Sequence, residues 1–166
     1  MFKRHFTIGL ADPYCDQEWE FRDVIIARPD GSLVFEQKGV EVPTSWSTNA
    51  STILAQKYFR GNLGSPERES SLRQIISRVV DTIERSGKAG GYFSDDEQAE
   101  IFTDELSYLL SHQMASFNSP VWFNIGVDGV PQQASACFIL SVDDEMESIL
   151  NWYREEGIIF KGGSGA

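Results

Sequence analysis

The hydrophobic positions of the N-terminal third predict a β-hairpin followed by a short helix. Two β-rich runs, RDVIIAR at 22–28 and LVFEQK at 33–38, flank the turn sequence PDGS. In such a turn proline presets φ and glycine permits a positive φ, so the two runs are predicted to pair. A capped helix is then predicted over 48–59, ended by Gly61.

Spacings of three and four residues predict two longer amphipathic helices. The first begins at Ser65, a good N-cap followed by Pro66, and ends near Gly87. The second begins with a capping box from Ser94 to Glu97. The apolar stripes are Leu72, Ile75, Ile76, Val79, Val80 and Ile83 in the first helix, and Phe102, Leu106, Leu109, Leu110, Met114 and Phe117 in the second. Because both stripes need burial, the two helices are expected to pack against each other.

The pattern changes after residue 117. Asn118-Ser119-Pro120 cannot continue a helix, and PQQASACFILSV indicates a loop that enters a short buried strand at 136–142. The sequence DDEMESILNWYREEG then predicts a helix with a glycine stop, and IIF at 158–160 predicts a second short strand. Strand, helix and strand begin an α/β unit. Since two short parallel strands need neighbours, the chain is expected to be cut off inside that unit.

Composition indicates a folded, acidic protein. The chain has 166 residues, 41% of them hydrophobic, and a formal net charge of −11. This charge argues against a surface that binds DNA or RNA, which draws on clustered lysine and arginine. No apolar stretch is long enough to span a membrane, and the N-terminus turns acidic too soon for a secretory signal, so a cytoplasmic protein without a membrane partner is expected.

Candidate chemical groups are few, and pattern alone gives most of them structural roles. Cys15 and Cys137 lie far apart without metal-ligand spacing, so neither a disulfide nor a metal site is predicted. By itself a free cysteine is more often a small core residue, and Ser119 a turn residue. The GGSG sequence at 162–165 follows a predicted strand, but it lacks the spacing of a P-loop or a dinucleotide fingerprint.

Longer phrases carry a family resemblance. The phrases are KYFRGNLGSPERESSLRQIISRVVDTI, GGYF, FNSPVWFNIGV, QASACFILSVDDEMESIL and EEGIIFKGGSGA. From about Trp19 onward the chain resembles the N-terminal part of bacterial adenosylcobalamin-dependent (class II) ribonucleotide reductases. The resemblance implies an α/β fold: residues 1–117 as a β-hairpin and helical region, then 118–166 as the first β-α-β of a ten-stranded α/β barrel, incomplete here.

The resemblance also implies a reaction and its participants. The family converts ribonucleoside diphosphates to deoxyribonucleotides through a thiyl radical that adenosylcobalamin generates, while a pair of cysteines supplies two electrons. The protein positions the substrate and shields the radical. The expected partners are the substrate, the C-terminal part of the reductase, a thioredoxin-like reductant and a second copy in a homodimer. Most of the cobalamin site is expected outside this chain, which by itself is expected to be inactive.

Four residues match functional positions of the family. Cys137 in SACF matches the cysteine that cycles between thiol and disulfide, and Ser119 in NSP matches a substrate-contacting residue. Ala136 together with Cys137 matches the next pair of substrate contacts. Gly163 in GGSG matches the glycine that lets the backbone approach the nucleotide. The resemblance therefore implies a nucleotide pocket between the Asn-Ser-Pro segment and the cysteine segment.

Two alternatives remain beside this interpretation. A class I large subunit shares the barrel but takes its radical from another protein. A non-catalytic nucleotide-binding or regulatory module would retain the motifs without the reaction.

Overall fold

The computed structural model describes residues 2–166, which form two compact units. The first unit ends at Ser116, and the second comprises Phe117–Ala166. In the described residues no helix is both long and apolar enough to cross a membrane.

The predicted β-hairpin is confirmed and is longer than expected. Strand β1 (Trp19–Ala27) pairs antiparallel with β2 (Leu33–Pro43). The connecting turn closes where Gly31, with a φ of 82°, donates its N–H to the carbonyl of Arg28 at 2.9 Å. Positive φ is the conformation that glycine tolerates, which is why PDGS could be recognised as a turn.

The predicted helix at 48–59 is also confirmed, with a change of geometry near its end. Helix α1 (Thr48–Ile53) continues into a π-helical turn, Leu54–Tyr58. Ser47 caps α1, because its hydroxyl accepts the Ala50 N–H at 3.1 Å. Sequence periodicity did not predict the π-helical turn.

The first long helix begins six residues later than the sequence predicts. Helix α2 (Leu72–Ala89) is capped by Ser71, which forms a capping box with Gln74. The predicted cap at Ser65 is wrong: Ser65 lies in a turn, where its carbonyl accepts the Arg68 N–H at 3.1 Å. The Ser-x-x-Gln sequence satisfies two N–H groups reciprocally, which the Ser-Pro sequence cannot do.

The second long helix differs from its prediction by one residue at the cap. Helix α3 (Asp96–Ser111) begins after Asp95, whose carboxylate accepts the Gln98 N–H at 2.9 Å. The predicted capping box from Ser94 to Glu97 is therefore wrong. An ionised carboxylate accepts more strongly than a hydroxyl and also favours the positive end of the helix dipole.

Helices α2 and α3 pack against each other, as predicted, and α2 also contacts β2. The core between them is aliphatic. Its fully buried members include Val40, Val42, Ile75, Ile76, Val79, Val80 and Ala99. An ion pair between Arg78 and Glu69, at 2.7 Å, lies at the edge of this core.

The N-terminal strap, residues 2–7, is attached to α3 by one carboxylate. Glu105 accepts the backbone N–H groups of His5, Phe6 and Thr7 at 2.9 to 3.0 Å, and the Thr7 hydroxyl at 2.6 Å. Arg4 adds ion pairs to Glu100 and Asp104 on the same helix. The strap therefore depends on a single side chain for most of its backbone hydrogen bonds.

The second unit contains two helices and no strand of its own among the residues described. Helix α4 (Ser119–Asn124) is short, and α5 (Met146–Lys161) is long. The predicted strand at 136–142 is wrong, since this segment forms one isolated bridge, from Cys137 to Gly165. The predicted strand at 158–160 is also wrong, because Ile158, Ile159 and Phe160 lie in α5.

The helical outcome at 158–160 has a simple physical reason. Periodicity cannot distinguish a short apolar run in a strand from one in a helix, and a helix satisfies its own backbone hydrogen bonds. Gly157 does not end α5, because a glycine inside a helix costs only about 1 kcal/mol relative to alanine. Within residues 2–166 the sheet is the two-stranded hairpin, and these residues show a β-hairpin with helices and no barrel.

Candidate functional site

The Asn-Ser-Pro segment of the second unit is the start of a helix. The side chain of Asn118 accepts the Val121 N–H, with Ser119 and Pro120 as the first residues of α4. Proline is favoured in the first turn of a helix, where its missing N–H has no helical partner. The indole of Trp122 donates to the carbonyl of Phe117 at 3.1 Å and fixes the entry of the chain into α4. Ser119 is half-buried.

A buried amide at the end of α4 connects two loops. The Nδ2 of Asn124 donates to the carbonyl of Gln133 at 3.2 Å and to the carbonyl of Gly162 at 3.1 Å. Asn124 is 8% exposed. Sequence reasoning missed this residue. The available signal was a polar side chain among apolar residues in VWFNIG, since a buried amide must find hydrogen-bond partners.

The same two loops are joined again by hydroxyl and amide groups. The Nε2 of Gln133 donates to the Ser164 Oγ at 3.1 Å, and that hydroxyl donates to the carbonyl of Ser135 at 2.5 Å. Ser164 is buried. The serine of GGSG thus holds the loop beside the segment that carries the cysteine.

Cys137 lies directly beside the glycine loop. The Gly165 N–H donates to the carbonyl of Ala136 at 2.8 Å, and the Phe138 N–H donates to the carbonyl of Gly165 at 2.9 Å. These two bonds form a parallel bridge between Cys137 and Gly165. The thiol of Cys137 is free and exposed, in contrast to the core position that a lone cysteine usually takes.

Gly163 packs closely on α4. It has a φ of 81°, and a Cβ added there would lie 3.3 Å from the Cδ2 of Phe123. The structure thus brings Ala136, Cys137 and Gly163 to adjacent loops. Ser119 lies on the helix that contacts those loops through Phe123 and Asn124.

The chemistry available here is limited and specific. One accessible thiol can be oxidised to a disulfide with a second thiol, and serine hydroxyls and loop N–H groups can hydrogen-bond to a polar ligand. These groups are suited to ligand recognition and to thiol redox chemistry.

Alanine at Gly163 is expected to destabilise the second unit by roughly 1–2 kcal/mol, because a left-handed backbone disfavours Cβ and Phe123 leaves little room. Gly157→Ala is the matched control. Open space surrounds Gly157 within α5, so alanine there is expected to stabilise by about 0.5–1 kcal/mol. Urea unfolding followed by circular dichroism measures both changes. Equal changes for the two variants would contradict the positional argument.

Comparison with known proteins decides the family. A sequence model described as class II vitamin B12-dependent ribonucleotide reductase matches residues 20–113, more than half of the chain. The chain belongs to this family. The match lies within the first unit, so it does not include the polar loops of the second.

Curated members of the reductase family extend the similarity to the second unit. The vitamin B12-dependent ribonucleotide reductase of Streptomyces coelicolor is 58% identical over 163 residues, which are 98% of this chain and 17% of that protein. The enzyme of Rhodopirellula baltica is 40% identical over 92% of this chain and 17% of its own length. This chain therefore spans about one sixth of the length of these reductases.

A shorter similarity reaches a differently named reductase. The ribonucleoside-diphosphate reductase large subunit of African swine fever virus is 39% identical over 61 residues, 36% of this chain and 8% of that protein.

Proposed function

We propose that this chain forms the N-terminal part of a vitamin B12-dependent reductase that converts ribonucleoside diphosphates to deoxyribonucleotides, and that its second unit contributes to the substrate pocket. Family membership carries the proposal. The exposed Cys137 thiol, held beside the GGSG loop, supports a role for this unit in the chemistry.

The proposed roles follow the family resemblance residue by residue. Cys137 is one of two cysteines that together give two electrons and become a disulfide, while the 2′-hydroxyl of the ribose leaves as water. Ser119 and Ala136 contact the substrate, and Gly163 allows the backbone to approach the nucleotide. A glycine with positive φ at this position supports close approach, because no side chain projects from it.

The barrel belongs to this proposal as well. The segments around Cys137 and Gly165 run parallel where they meet, which supports their pairing as neighbouring elements of a parallel sheet. Additional strands would have to come from the rest of the reductase. The chain by itself is therefore proposed to be inactive, and a thioredoxin-like reductant would re-reduce the complete enzyme.

The cobalamin cofactor does not fit the sites described on this chain. Gln133, Ser135 and Ser164 hydrogen-bond to one another and hold two loops in tight polar contact. A corrin ring would need a broad surface at this place. We therefore assign no cobalamin-binding residue here.

A chimera tests the proposed function. This chain replaces the first sixth of the Streptomyces coelicolor reductase, with which it aligns over 163 residues. The chimera is expected to form deoxyribonucleotides from ribonucleoside diphosphates when adenosylcobalamin is added, and the unmodified enzyme is the control. A chimera that folds with the circular dichroism of the parent but forms no product would overturn the proposal.

The viral similarity favours one alternative, a large subunit that uses another source of radical. A complete enzyme containing this chain would then need a second protein in place of adenosylcobalamin. Product formation that requires such a protein and not adenosylcobalamin, by a complete enzyme containing this chain, would support this alternative. The chimera cannot test it, because the rest of the chimera comes from a vitamin B12-dependent reductase.

A further inference from the structure

An open polar cavity of about 530 Å³ lies in the first unit, beside the π-helical turn. Its charged lining consists of Lys57, Arg60, Arg68 and Glu67. Three cations and one carboxylate therefore face the cavity, in a chain whose net charge is −11. None of these residues has a role in the function proposed above.

The wall of the cavity is rigidly held by Arg68. Its guanidinium donates to the carbonyls of Ala55, Phe59 and Gly61 at 2.5 to 3.1 Å, and to the Oε1 of Gln37 at 3.0 Å. Four bonds to neutral oxygens orient this arginine without neutralising its charge. The cavity is thus preorganised, and ligand binding need not order the loop.

Gly61 closes the same loop. It has a φ of 84°, and a Cβ there would lie 2.3 Å from the carbonyl oxygen of Glu67. Only glycine permits this approach of the two backbone segments.

A second acidic residue, Glu69, lies next to the cavity and also pairs with an arginine outside its lining. Glu69 forms the 2.7 Å ion pair with Arg78, and both side chains are nearly buried. The other carboxylate oxygen of Glu69 accepts the backbone N–H of Arg60 at 2.8 Å. Glu67 and Glu69 carry two negative charges against the four positive charges of Lys57, Arg60, Arg68 and Arg78, so the region keeps a positive balance.

Burial acts against the charge of two arginines in the lining. Desolvation lowers the pKa of Arg60 and of Arg68, and the nearby charge of Arg78 lowers that of Arg60 further, while attraction to Glu69 opposes both shifts in part. An anion in the cavity would offset this unfavourable desolvation.

We propose that this cavity binds a polyanion of the phosphate class, such as the diphosphate group of a nucleotide or free pyrophosphate. Arg60 offers a planar guanidinium, which matches phosphate oxygens, and Lys57 offers an exposed ammonium at the rim. Arg68 contributes its charge from the wall of the cavity, where it is held by its own hydrogen bonds. The proposal is independent of the reductase reaction and rests on the first unit alone.

Calorimetric titration of the 166-residue chain with pyrophosphate at low ionic strength tests the proposal. Pyrophosphate is expected to bind, and Lys57→Gln is expected to weaken binding about tenfold through loss of one charged contact. Lys57 is exposed, so its replacement should leave the fold intact, which circular dichroism checks. Added salt is expected to weaken binding, since partly exposed charges are screened.

Lys38→Gln is the matched control. Lys38 is an exposed lysine on β2, paired with Glu36 at 3.6 Å, and its replacement makes the same change in net charge. It is expected to change pyrophosphate affinity by less than about twofold. Equal effects of the two variants, no heat with pyrophosphate, or equally tight binding of succinate would each overturn the proposal. Tighter binding of ADP than of pyrophosphate would identify a nucleotide as the source of the phosphate group. Equal affinity for ADP and pyrophosphate would identify a free polyanion as the ligand.

Discussion

Replacing Cys137 by serine in the Streptomyces chimera is expected to reduce deoxyribonucleotide formation by about a thousandfold or more, since a hydroxyl cannot form the disulfide that supplies two electrons. The structure indicates that this substitution removes the thiol without disturbing the fold. The Cys137 side chain is exposed, and the bridge to Gly165 uses backbone atoms, so serine should keep the fold. Product formation under multiple turnover, with adenosylcobalamin and a dithiol reductant, measures the loss.

Cys15→Ser is the matched control for that experiment. Cys15 is also a free, exposed cysteine, but it lies in the first unit and in no matched motif. Its replacement is expected to leave activity within about twofold, as for most exposed positions. Near-normal activity of the Cys137→Ser chimera would show that Cys137 takes no part in the reaction. An equal loss in both variants would point to a general effect of thiol removal.

Replacing Glu105 by glutamine is expected to lower the free energy of unfolding by roughly 1–3 kcal/mol, because a charged acceptor of four hydrogen bonds becomes neutral. A neutral amide presents one carbonyl oxygen where the carboxylate presents two acceptors. The bonds to His5, Phe6 and Thr7 cannot all be kept. Urea unfolding at neutral pH measures the difference.

The pH dependence of this effect follows from the ionisation of Glu105. Burial opposes the charged form, but the Thr7 hydroxyl and the strap N–H groups outweigh it and lower the pKa from 4.5 to about 2. A carboxyl group whose pKa is lower in the folded state than in the unfolded state stabilises the fold. This stabilisation is fully present above the unfolded-state pKa and is lost as pH falls through the folded-state pKa. The difference between wild type and Glu105→Gln should therefore be constant above pH 4.5 and shrink towards pH 2.

Glu100→Gln provides the comparison on the same helix. Glu100 is 70% exposed and pairs with Arg4 at 3.0 Å, so the same chemical change removes a surface ion pair. The expected loss is below about 1 kcal/mol. A Glu105→Gln variant as stable as Glu100→Gln at every pH would show that the carboxylate does not hold the strap.

The candidate site illustrates what motifs can and cannot predict. The family phrases led to Ser119, Ala136, Cys137 and Gly163 as site residues, and their roles stay predictions. Asn124, which joins both loops, was missed, because its importance depends on two carbonyls nine and thirty-eight residues away. Local pattern carries no information about partners at such separations.

Element type was determined by the sequence wherever the pattern extended over enough residues. The hairpin with its PDGS turn, α1 and the paired helices α2 and α3 were predicted because periodicity and turn chemistry act locally. Resemblance of whole phrases likewise identified the family that the comparison then showed.

Tertiary structure decided the starting points and the short apolar runs. Arg68 hydrogen-bonds to the carbonyls of Phe59 and Gly61, and Ser65 lies in a turn, so α2 begins after Ser71, which forms a capping box with Gln74. The local sequence alone favoured a start at Ser65-Pro66. Residues 158–160 joined α5 because no neighbouring strand is present in the described residues to satisfy their backbone. A short segment takes the structure that fills its hydrogen bonds, and those partners come from distant parts of the chain.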